Sequence, residues 1–158
     1  MNTIKYLLII IFFLVGCSTT NSSSNVDVYK QGDILPVYTL YDQHGKKHIL
    51  TEKTKYVALA FDMDVAKSIN EDLTNKESGF LEKNKIFYVA DISEMPQFVT
   101  LLFAGPKMKK YEFPIIWATE KDFKLDFPKE IKKLTIIELE KGFKIKSIFY
   151  SNNFEFVE

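Results

Sequence analysis

From residue 37 onward the apolar positions fall into short blocks whose spacing changes along the chain. Val37 to Tyr41 and Lys47 to Leu50 flank Asp42-Gln43-His44-Gly45-Lys46, which predicts a β-hairpin around a glycine-containing turn. Tyr56 to Phe61 is a continuous apolar run, the pattern of a central strand covered on both faces. Asp62 or Asp64 then caps a helix whose apolar positions Val65, Ile69 and Leu73 repeat every four residues. Ile86 to Ala90 reads as a second buried strand. Ser93 is the expected cap of the next helix, with Glu94 and Pro96 in its first turn, Phe98, Leu101 and Leu102 inside, and Gly105-Pro106 as its stop. Ile115 to Ala118 is a third strand entered through Phe113-Pro114, and Leu134 to Glu140 with Phe143 to Tyr150 form a terminal hairpin across Lys141-Gly142. Strand, helix, strand, helix, strand and hairpin predict one α/β domain. Its central mixed sheet lies inside three layers and contains parallel βαβ units.

The front of the chain follows different rules. Lys5 precedes an apolar run from Tyr6 to Val15, and Leu14-Val15-Gly16 leads directly into Cys17. A positive start, an apolar middle and a small residue at the exit form a secretory signal layout. Ten apolar residues are too few to span a membrane, for which about 20 are needed. Leu14-Val15-Gly16-Cys17 resembles the lipobox of bacterial lipoproteins. That resemblance implies a signal peptide over residues 1–16, a diacylglycerol on Cys17 and an acylated new amino terminus, hence a palmitate-type anchor. Several acyl chains give the stable anchoring that one alone does not. Ser18 to Asn25 is small, polar and unpatterned, so residues 17–26 read as the lipidated cysteine and a flexible tether. The folded domain occupies residues 27–158. The residue after Cys17 is Ser18, not Asp; in a Gram-negative envelope this lipoprotein pattern implies the periplasmic face of the outer membrane.

Composition narrows the chemistry. Removing the 16 signal residues leaves 20 lysines against 21 acids, with no arginine anywhere in the chain. Phosphate and guanine recognition favour the arginine fork, and a nucleic-acid partner calls for a basic surplus, so nucleic acid is excluded as a partner. Cys17 is the sole cysteine. Once it is lipidated the domain holds no disulfide, no thiolate nucleophile and no cysteine metal ligand. The two histidines, His44 and His48, straddle the Gly45 turn and make a weak metal pair; they are expected to be exposed to solvent. Trp117 sits on an expected buried strand and belongs with the core.

Gly32-Asp33-Ile34-Leu35-Pro36, followed by Tyr38-Thr39-Leu40 and Asp42-Gln43-His44-Gly45-Lys46, resembles the opening of thioredoxin- and peroxiredoxin-like domains. In those, a G-x-x-x-P stretch leads into a hairpin ending at a Gly-Lys turn. The βαβ order fits as well, over roughly residues 32 to 150, and Pro114 corresponds to a proline that the family keeps cis. The family's redox cysteines lie where the first buried strand meets its helix, here Phe61-Asp62-Met63-Asp64-Val65-Ala66-Lys67, and no cysteine stands there. Thiol-disulfide exchange needs a thiolate. The resemblance therefore implies a redox-inactive scaffold serving as a binding module for an envelope protein partner or ligand, with no catalytic residue, metal or cofactor.

The same junction supports a rival. An apolar strand ending in Asp62-Met63-Asp64 resembles the first motif of haloacid-dehalogenase-like phosphatases, in which the first Asp attacks phosphorus, the second serves as acid and base, and Mg²⁺ neutralises charge. That family also needs a downstream acidic pair, which is not found after Asp91. Lys107, Lys109 and Lys110 form a basic cluster that suits a solvated helix end, an anionic lipid surface or an acidic partner.

Overall fold

The computed structural model describes residues 28–120 and 123–157. Cys17, the signal segment and the tether lie outside them. Among the described residues, seven strands form one sheet in the order β2-β1-β5-β4-β3-β6-β7. The predicted hairpin is β1 (Thr39–Asp42) paired antiparallel with β2 (Lys47–Ile49). Gly45 holds φ at +77° in its turn, a conformation that favours glycine.

The core of the sheet follows from the apolar runs. β3 (Tyr56–Ala60) is buried along its whole length because it lies between parallel β4 (Ile86–Asp91) and antiparallel β6 (Leu134–Glu140). β5 (Ile116–Ala118) runs parallel to β4 and antiparallel to β1. β7 (Lys144–Ser151) pairs with β6 as predicted and forms one edge. Alternation divides the core. Tyr56, Ala58, Ile86, Tyr88, Leu134 and Ile136 face one side of the sheet, whereas Val57, Leu59, Phe87, Val89, Ile137 and Leu139 face the other.

Helix α1 (Met63–Thr74) covers the first side through Val65, Ala66, Ile69 and Leu73, the four-residue repeat seen in the sequence. Asn70 is also buried there and accepts a hydrogen bond from the Tyr88 hydroxyl at 3.2 Å, which satisfies both polar groups. After the short helix α2 (Phe80–Lys83), the chain enters β4. Among the described residues no long helix covers the second side. A cluster of aromatic rings closes it, with Tyr38 against Phe123 and Phe123 against Phe127 at centroid separations of 5.4 and 4.9 Å.

The crossover from β4 to β5 departs from expectation. Ser93 does not cap a helix; its N–H donates to the Asp91 carboxylate at 2.9 Å, and the helix begins only after Pro96. It has three parts: an α turn, α3 (Gln97–Val99), a π-helical turn (Thr100–Ala104) and α4 (Gly105–Met108). Gly105-Pro106 therefore lies inside the helix instead of ending it. The π turn explains this, because the Gly105 N–H already bonds five residues back to the Thr100 carbonyl. The regular ladder is interrupted there, so the proline's missing N–H and its ring are tolerated. The extra residue also shifts the helix phase. Phe98 and Leu102, expected inside, are 62% and 67% exposed. Trp117 packs against the core on the α1 side, as expected.

Candidate functional site

The β3–α1 junction is where the sequence placed its candidate chemistry. Asp62 has extended backbone angles and acts as the helix N-cap, with Oδ1 accepting the N–H groups of Asp64 at 2.7 Å and Val65 at 3.4 Å. Asp64 and Met63 follow in the first turn, both exposed, with Asp64 placed where the helix dipole favours a negative charge. The carboxylates of Asp62 and Asp64 are thus used in the start of a helix. The metal reading needs a third ligand beside them, and among the described residues no group of three His, Cys, Asp or Glu side chains comes together to hold an ion. The paired-carboxylate phosphatase expectation has no structural support.

Pro114 is not the junction's neighbour. No described peptide bond is cis, so Pro114 is trans, contrary to the correspondence implied by the resemblance. Its strand β5 lies beyond β4 from β3, and the strand that flanks β3 on the other side is β6, entered through Lys132-Lys133. What holds Pro114 is Gln43, 2% exposed in the hairpin turn. Its Nε2 donates to the Phe113 carbonyl at 2.8 Å, and its Oε1 accepts the Ile115 N–H at 2.7 Å. One side chain thus satisfies the backbone on both sides of the proline, which cannot donate itself.

A second constellation stands in the same turn. Asp42 is 5% exposed and both of its oxygens are engaged. Oδ1 accepts the N–H groups of His44 and Lys46 at 2.8 and 2.9 Å, and Oδ2 lies 2.7 Å from His48 Nε2. Burial alone would raise the Asp42 carboxyl, but the His48 hydrogen bond and the Lys46 and His44 N–H groups outweigh it and hold the pKa below the usual carboxylate range. An ionised carboxylate only accepts, so the hydrogen bond places a proton on His48 Nε2. His44 is exposed as expected, whereas His48 is half-buried in this bond, a correction to the expectation of two solvent-facing histidines.

Asp42 and His48 line one wall of a groove of about 980 Å³. Its other walls are the end of α1, Phe80 of α2 and the Tyr111–Phe113 approach to β5. Phe80, Tyr111 and Phe113 share this lining with charged side chains, among them Lys46, Glu77, Glu82, Lys110 and Glu112. Sequence reasoning passed over Asp42 and Gln43 as turn residues. The one available signal was an Asp and a His six apart across a predicted hairpin.

No protein-family model matches the chain, and no curated protein matches it. Solved structures do. A peroxiredoxin-like protein from Aquifex aeolicus aligns over 83% of this chain and 80% of its own, with a TM-score of 0.52 and 10% identity. The thioredoxin domain of a thiol-disulfide oxidoreductase from Bacteroides vulgatus aligns over 78% of this chain and 91% of its own, with a TM-score of 0.50 and 14% identity. The mixed sheet, with its leading hairpin, parallel βαβ core and terminal hairpin, has the thioredoxin-like fold.

Proposed function

We propose that this protein is a lipid-anchored bacterial envelope protein whose thioredoxin-like domain binds a partner and performs no thiol chemistry. One observation carries the reading: the strand-to-helix junction holds Asp62 as a helix cap, and Cys17, the chain's sole thiol, stands far upstream in a lipobox-like Leu-Val-Gly-Cys. Thiol-disulfide exchange proceeds by thiolate attack on sulfur, for which neither a capping carboxylate nor the Met63 thioether substitutes. A fold by itself confers no activity, so the oxidoreductase activity named for the Bacteroides structure does not transfer. The groove beside Asp42 and His48 gives the module a concave, partly aromatic surface for an envelope protein segment or a small ligand.

Mass spectrometry of the amino-terminal peptide from the membrane fraction tests the anchor. The expected result is a diacylglyceryl thioether on Cys17, lost in Cys17→Ser together with membrane retention. An unmodified, membrane-free Cys17 would overturn the reading.

A further inference from the structure

The helix that crosses from β4 to β5 presents large apolar side chains to solvent. Phe98, Leu102 and Phe103 are 62%, 67% and 66% exposed. Residues 100–104 form a π turn, in which positions four and five apart both return to one side, so the three form a single stripe, too concentrated to be scattered surface apolarity. Lys107, Lys109 and Lys110 follow it, all exposed.

Topology relates this stripe to the path back to Cys17. Parallel strands β3, β4 and β5 end at the same edge of the sheet. Met63 follows β3 at that edge, Pro96 to Phe98 follow β4, and the Phe123–Asp126 turn follows β5. The described chain enters there too, since the Tyr29 N–H donates to the Asp126 carbonyl at 2.8 Å. Val28 and Met63, 42% and 63% exposed, share that edge. The ten residues between Cys17 and Val28 span at most about 35 Å even when fully extended. A domain of this size has a radius of gyration of about 14 Å. An acylated Cys17 would therefore keep the domain within about one domain diameter of the bilayer, with the first turn of the helix on the side where the tether enters.

We propose that the helix of residues 97–108 lies in the headgroup region of the membrane, inserting Phe98, Leu102 and Phe103 and setting Lys107, Lys109 and Lys110 against anionic headgroups. An apolar flank with lysines whose stems reach outward is the make-up of an interfacial helix. Asp62 and Asp64 stand at the strand ends, and an anionic surface repels them, so the helix flank faces the bilayer and the strand ends do not. The proposal rests on the lipid anchor inferred above.

Acylation consumes the only native thiol, so one introduced cysteine is uniquely labelled in the full, lipidated chain. Leu102→Cys and, at the opposite edge of the sheet, Lys53→Cys each receive a polarity-sensitive fluorophore. The proteins are then reconstituted in vesicles of phosphatidylcholine and phosphatidylglycerol carrying nitroxide lipids. The expected result is a blue shift and loss of intensity at position 102, and a water-like spectrum at position 53. Equal, water-like spectra on a protein with acylated Cys17 would overturn the docking and leave the anchor standing. An unacylated Cys17 would overturn the anchor and the docking with it. Equal quenching in pure phosphatidylcholine would overturn the lysine contact.

Discussion

Two aspartates do different work: Asp42 ends strand β1, and Asp62 follows β3 as the cap of α1. Asp62 is exposed and offers one oxygen to two backbone N–H groups at the start of α1. Asp42 is buried, uses both oxygens, and ties the two arms of a hairpin together through His44, Lys46 and His48. The residue that the sequence marks for chemistry is thus a replaceable cap, and the residue that reads as an ordinary turn former is the constrained one. A carboxylate next to another in sequence is weak evidence for a site. What distinguishes a constrained carboxylate is burial together with the number of donors that converge on it.

That contrast sets an order of mutational effects. The largest is expected for Asp42→Ala, which leaves two backbone donors and the His48 ring without their acceptor in a buried turn. The loss is about 3 kcal/mol of unfolding free energy by urea titration. Its acid dependence has a definite sign. The folded pKa of Asp42 lies below its unfolded value, near 3.9, so the stabilisation is present above about pH 4 and is lost as pH falls through the lowered folded value. The gap between wild type and Asp42→Ala should therefore be full at pH 7 and narrow as pH falls through the folded value.

Gln43→Ala comes next, because it removes the acceptor of the Ile115 N–H and the donor to the Phe113 carbonyl. About 2 kcal/mol is expected by the same titration, with amide exchange accelerated at Ile115. The smallest effect is expected for Asp62→Ala, the loss of one exposed cap, at about 1 kcal/mol in thermal unfolding.

The buried strands β3 and β4 were legible because Tyr56–Ala60 and Ile86–Ala90 are apolar throughout and each strand is bordered on both sides. α1 was legible because Val65, Ile69 and Leu73 keep helical spacing and Asp62 stands immediately before them. The 97–108 helix was misread, since a π turn changes the phase and a local repeat rule assumes a constant one. Gln43 was invisible for another reason: its partner carbonyl lies 70 residues away, and no local pattern signals a bond between a hairpin turn and a later strand. His48 faces Asp42 only once the hairpin register is formed, with Leu40 opposite His48.

The most direct measurement is the urea unfolding free energy of the conservative variants Asp62→Asn and Asp42→Asn beside their alanine counterparts. Asparagine caps a helix about as well as aspartate. At position 42 it offers a single acceptor oxygen, and its amide N–H₂ meets donors. Asn should therefore restore nearly all of the stability lost at position 62 and little of that lost at position 42. Failure of Asn to rescue position 62, together with full rescue at position 42, would contradict the assignment of the junction to structure and of the turn to the constrained carboxylate.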